Sequence, residues 1–145
     1  KNTATHQKNR NWQKMSIEAG VVERLLAVSA VSSLVGNRVY ADILPIGSDH
    51  PAIVYQLIST VPYSGKNNDT GKEKARIQLA LITDTVAQRI DLSDAVKIAL
   101  QRFKGLVSDI KILDSKLENV YDRSRDNDTG QTARITDFLI TYEKV

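Results

Sequence analysis

Asp126, Asp128 and Gly130 follow one another at two-residue intervals, and Asp137 comes seven residues later. Oxygen donors in that order are the beginning of a calcium loop, which also needs a third oxygen ligand before its glycine and a bidentate Glu at the twelfth place. Here Gly130 arrives one position early and Asp137 stands where the Glu should be, so solvated turn acids are the expectation. Only His6 and His50 offer an imidazole, with no second ligand spaced to make a metal pair, and His50, just before Pro51, reads as a solvated loop residue. The seven glycines stand at 20, 36, 47, 65, 71, 105 and 130, too far apart for a phosphate cradle. Cysteine is absent, which excludes disulfides, thiolate catalysis and Cys-based zinc sites. The reading is a non-enzymatic chain with no catalytic residues, cofactor or metal.

What remains is charge. Lys1, Lys8, Arg10 and Lys14 give the first fourteen residues +4, while the rest of the chain carries 16 basic and 17 acidic residues and is nearly neutral. This basic segment reads as a leader, either disordered or not native to the protein, before a single domain at 15–145, with Met15 as the natural initiator. Touching a phosphate backbone is its other possible use. Further on, two polar stretches, Pro62 to Glu73 and Tyr121 to Thr132, mix both signs: Lys66, Lys72, Lys74, Arg123 and Arg125 stand beside Asp69, Glu73, Asp122, Asp126 and Asp128. Nucleic-acid grooves favour a stripe of one sign with interleaved rings. Mixed charge suits the rim of a protein contact, where it sets register and partner choice, and simple solvation is the competing reading. The interaction candidates are therefore Tyr63, Lys66, Asp69, Lys72, Arg123, Arg125, Asp126 and Asp128.

These stretches must be held by regular elements. Ser16 can cap a helix in which Ile17, Val21, Leu25 and Val28 form one apolar stripe. The segment from Leu34 through Pro51 turns at Gly36-Asn37 and is punctuated by Pro45, Gly47 and Pro51, as an irregular surface connection would be. Ala52 to Thr60 alternates and is rich in β-branched residues, reading as a strand that Pro62 ends. After the first polar stretch a second strand spans Arg76 to Ile82. Thr83, Asp84 and Thr85 then cap a helix of about six turns whose apolar face includes Val86, Ile90, Val96, Leu100 and Phe103, with Gly105 as its C′ residue. A third, bent strand covers Val107 to Tyr121 and a fourth covers Ala133 to Tyr142.

NDTG occurs twice, from Asn68 and from Asn127, each time followed by an Ala-Arg-Ile step and a Leu-Ile-Thr ending. The two copies read as the descending shoulders of two hairpin tips, each feeding a strand of the same sheet. The element order α-β-β-α-β-β predicts an α+β fold: an antiparallel sheet of about four strands with two main helices on one face. The other face, with Val54, Ile58 and Leu139, is too apolar to be simply wet, and a partner subunit is an economical cover. The longest apolar runs are interrupted or fall short of the roughly 18 residues of a membrane span.

LVGNRVY (34–40), HPAIVYQLIS (50–59), AQRIDLSDAVKIAL (87–100) and ARITDFLITY (133–142) resemble the tail-terminator, or tail-completion, proteins of long-tailed bacteriophages, the group that includes the lambda tail terminator. The resemblance runs from about Met15 to Tyr142. It implies an α+β virion subunit that closes into a ring, generally hexameric, on the head-proximal end of the tail tube. Such a ring stops tube polymerisation and joins the tail to the head connector. The implied partners are other copies of the chain, the tail tube protein and the connector or stopper, with DNA passing the lumen without specific binding and no membrane. A different class, a small-ligand or regulatory module using a helix-sheet cleft, is the alternative, although no polar residues converge on one pocket.

Overall fold

The structure, a computed structural model, describes residues 16–64, 69–123 and 130–144, with the backbone alone at 63, 64, 69 and 70. Its elements are α1 (Ile17–Ala27), α2 (Ser29–Val35), β1 (Val39–Ala41), β2 (Ala52–Ser64), β3 (Asp69–Thr83), α3 (Val86–Leu100), β4 (Gly105–Val107), β5 (Ile110–Arg123) and β6 (Thr132–Lys144). The strands make one six-stranded sheet in the order β1-β2-β3-β6-β5-β4. All neighbours are antiparallel except β1, which runs parallel to β2. The expected four-stranded antiparallel sheet with two helices is thus corrected to a mostly-sheet fold, a mixed, curled half-barrel with three helices.

Each difference has a local cause. The stripe Ile17, Val21, Leu25, Val28 continues through Val31 and Val35, so nothing in its spacing announces the break that extended Val28 makes between α1 and α2. Ser16 does cap α1, accepting from the Ala19 amide at 3.1 Å. Pro62 does not end β2. It pairs with Glu73, and it is tolerated because β1 covers only Ile53 to Tyr55, leaving that stretch of β2 with one strand neighbour among the described residues. Most of the supposed polar tip after Ser64 is therefore strand, and β3 begins at Asp69.

At the C-terminal end of α3 the left-handed residue is Arg102 (φ 58°), and the helix stops at Leu100. Gly105 opens β4 instead, where a Cβ would lie 3.0 Å from Cζ of Phe103. Phe103 is only half-buried and carries the Arg24 guanidinium over its ring at 3.9 Å. Arg24 also donates from Nε to the Ala99 carbonyl at 2.8 Å, a favourable place for a cation because the last carbonyls of a helix lack partners. The bent third strand is two strands, β4 and β5, separated at Ser108, whose φ is 52°.

The helices cover one face of the sheet. Ile53 of β2, Ala75, Ile77, Leu79 and Leu81 of β3, Ile110 and Ile112 of β5, and Phe138, Ile140 and Tyr142 of β6 meet Ile17, Val21, Leu25, Val31, Val35, Leu92, Val96 and Leu100 from the helices. Burial alternates from Ala75 to Thr83 in β3 and from Thr136 to Tyr142 in β6, as the period of two in a strand requires. The alternation shifts in β2 at Ile58 and in β5 at Leu113 and Glu118, where single residues fall out of register.

Candidate assembly surfaces

The β2–β3 and β5–β6 strand pairs are joined at opposite ends of the sheet. β3 and β6 are antiparallel neighbours, with Lys72 opposite Glu143 and Thr83 opposite Thr132, so the start of β3 and the start of β6 lie at opposite ends of the sheet. The eleven steps between those pairs span roughly 36 Å at the usual strand rise.

At the β2–β3 end, Lys72 stands in β3 between Tyr63 of β2 and Glu143 of β6, and Asp69 is opposite Ser64. Lys66 lies outside the described residues. At the other end Arg123 closes β5 opposite Ala133, while Arg125, Asp126 and Asp128 lie outside the described residues, and with them the calcium-loop question at 126–128. Tyr63, Asp69 and Lys72 therefore sit together, Arg123 sits far from them, and no single site gathers all the candidates. Among the described residues no group of three or more His, Cys, Asp or Glu side chains is placed to hold a metal. No helix among them is long and apolar enough to cross a membrane.

The β5–β6 end is braced by two polar assemblies. Arg134 grips Asp122 with two bonds, Nε to Oδ1 at 2.8 Å and Nη2 to Oδ2 at 3.2 Å, and Arg89 from α3 approaches the same carboxylate at 3.8 Å. The Arg134 hydrogen bond, aided by the charges of Arg134 and Arg89, holds the Asp122 carboxyl below the usual range. His50 is not a solvated loop residue. Its Nδ1 meets Asp84 at 2.9 Å and its Nε2 meets the Gln131 amide at 3.2 Å, with only 14% of the side chain exposed. A carboxylate can only accept, so Nδ1 carries a proton and donates to it. His50 thus ties the 42–51 segment, just before its cis peptide to Pro51, to the starts of α3 and β6.

At the β2–β3 end the Tyr142 hydroxyl donates to Glu73, its partner in the ladder. Burial first, and then Glu73, hold that hydroxyl well above the ordinary tyrosine range.

The face away from the helices carries less open grease than its sequence suggests. Ala52 and Ile135 on it are fully buried, and Val54 and Leu139 are half-buried. Its centre is ionic, with Glu118 shared by Arg76 at 3.9 Å and Lys116 at 3.5 Å. The exposed large apolar residues lie off the central strands, with Val61, opposite Lys74, and Tyr121, opposite Ile135, at the flanks of this same face. Ile43, Ile46, Ile58 and Val61 lie along the β1–β2 side, Leu106, Val120 and Tyr121 along the β4–β5 side, and Val86, Ile90 and Ile98 on α3. Among the described residues none lies on the central strands β3 and β6. Sequence reasoning passed over Ile43 and Ile46 as part of an irregular connection; the signal that could have found them was isoleucine on both sides of Pro45 in a stretch otherwise marked as surface.

With this geometry in view, comparison with known proteins places the chain. The tail completion protein gp17 family matches residues 19–143, nearly the whole described fold, and the protein belongs to that family. It is accordingly a structural component of a phage tail and of the virion. Among solved structures, a chain from the virion of native gene transfer agent (GTA) particle shares the fold at a TM-score of 0.67 with 22% identity, over 88% of this chain and 95% of that one. No curated protein matches the sequence.

Proposed function

We propose that this tail-completion protein forms a ring, hexameric in keeping with the resemblance, that caps the head-proximal end of the tail tube. The ring stops tube polymerisation and joins the tail to the head connector, acting by shape and not by turnover. The observation that carries the reading is the opposed placement of the two hairpin ends, marked by Lys72–Glu143 and Thr83–Thr132 roughly 36 Å apart along the sheet, in a chain that the tail completion family covers from 19 to 143. One end can then meet the tube while the other meets the connector. The fold likeness to a chain of a gene transfer agent virion supports the same setting. DNA passes the bore without specific binding, consistent with the near-neutral balance outside Lys1 to Lys14.

The test is imaging of purified protein alone and with tail tubes. Rings that sit on one end of each tube and prevent further elongation are expected. A protein that leaves tube ends bare and tube length unlimited contradicts the proposal. Deleting residues 1–14 should leave capping intact if the working domain is 15–145.

A further inference from the structure

We infer that the two sheet edges are the complementary halves of the contact between copies of this chain, the β1–β2 side of one copy docking on the β4–β5 side of the next. The inference rests on the ring reading and specifies its interface. Its basis is where the apolar surface lies. Ile43, at 74% exposure, and Ile46, fully exposed, project from a segment that is itself well tied. Asp42 donates its amide to the Tyr55 carbonyl at 2.9 Å, Ser48 closes a turn onto Pro45 at 3.1 Å, and Ser48 Oγ bonds the Tyr40 hydroxyl at 3.2 Å. Large aliphatics held out to water on an ordered segment mark a contact surface.

Ile58 and Val61 continue that side down β2, whose main chain has one strand neighbour from Gln56 onward among the described residues. From Ile43 to Gly65 the only charged residue is Asp49. Proteins usually protect an exposed strand edge with charge, and an uncharged β-branched edge invites a partner. The opposite side is built differently. There β5 carries six charged residues, and the segment after α3 already covers its edge as far as Leu117. Arg102 donates to the Ser115 carbonyl at 2.6 Å, and Gln101 Oε1 accepts from the Leu117 amide at 2.8 Å. Apolar contact is available there at Leu106, 65% exposed, and at Val120 and Tyr121 beyond that cover.

Two unlike apolar sides on opposite sheet edges are what head-to-tail self-association requires, whereas a twofold dimer needs one self-complementary patch. The occupant of the β1–β2 side is therefore a second copy. A different tail protein seated there is the competing outcome, and the test separates the two.

Two variants break one side each: Ile46→Asp/Val61→Glu, and Leu106→Glu/Tyr121→Glu. All four positions are exposed, so thermal midpoints should stay near wild type; should either variant unfold, Ser replacements at the same positions take their place. Mass in solution is measured by light scattering across a wide concentration range. Wild type is expected as a closed multi-copy particle and each variant alone as a single chain. An equimolar mixture, which retains one intact contact, should give particles of two chains. The inference is overturned if wild type stays a single chain, if both variants assemble like wild type, or if only one side matters. Tube capping, imaged in parallel, keeps the readings apart. Capping by variants that still form rings removes the interface alone, whereas bare tube ends with wild type remove the ring reading.

Discussion

The β2–β3 and β5–β6 hairpins end in nearly the same words, NDTG and then an Ala-Arg-Ile arm, yet they present opposite surfaces. Their second strands, β3 and β6, are neighbours in the middle of the sheet, where Ala75 meets Ile140 and Ile77 meets Phe138 in the shared core. Their first strands, β2 and β5, lie on either side of that pair. β2 is uncharged over its thirteen residues, while β5 carries six charges and a covered edge. The common arm builds the core, and the unlike partner strand decides what the molecule shows to others.

The largest effect should come from breaking what the hairpins share. Phe138→Ala in β6 removes a fully buried ring that faces Ile77, and a loss of roughly 3 to 5 kcal/mol is expected in urea unfolding. Leu79→Ala, at a fully buried position of β3, should cost about 2 to 5 kcal/mol. A loss well below about 1 kcal/mol at both positions would mean that the paired arms are not the centre of the core.

The next comparison separates the ends by pH. At the β2–β3 end, the raised Tyr142 hydroxyl means that the folded state holds its proton above the ordinary tyrosine value of about 10. Its contribution is fully present below that pH and declines as pH rises past it, because the folded state then binds more protons than the unfolded. Tyr142→Phe should flatten stability against pH in the alkaline limb. At the β5–β6 end the sign is opposite. Asp122 is held below its ordinary value of about 4, so the stability it lends is present above that pH and is lost as pH falls through the depressed value. With 37% of that side chain exposed, the effect should be less than about 1 kcal/mol, and Asp122→Asn should shrink the acid limb of the curve accordingly.

The smallest effect on folding should come from the turns. Charge reversal at Lys66 with Lys72, or at Arg123 with Arg125, is expected to move stability by no more than about 0.5 kcal/mol. Because the starts of β3 and β6 lie at opposite ends of the sheet, the two reversals should fail differently in assembly, one at the tube and one at the connector. Scoring tube capping and head joining separately checks this, and identical defects would show that the ends do not divide the work.

Residue order alone was enough for the central elements and the family. Period-two alternation placed the cores of β2, β3 and β6, and Ser16 and Thr85 marked helix starts that the structure keeps, with side-chain acceptance from the Ala19 and Gln88 amides. It also carried the family resemblance that the match over 19–143 bears out. What it left undecided is whatever depends on a residue far away in the chain. Pro62 reads as a stop until β1, which reaches only Ile53 to Tyr55, leaves that stretch of β2 without a second neighbour among the described residues, and β1 is too short to announce itself without Ile53 beside it. His50 looks solvated until Asp84 and Gln131, 34 and 81 residues away, close on it. The opposition of the two hairpin ends exists only once β3 and β6 lie side by side, because periodicity records which way a side chain points along its own strand and carries nothing about which strand comes next to it.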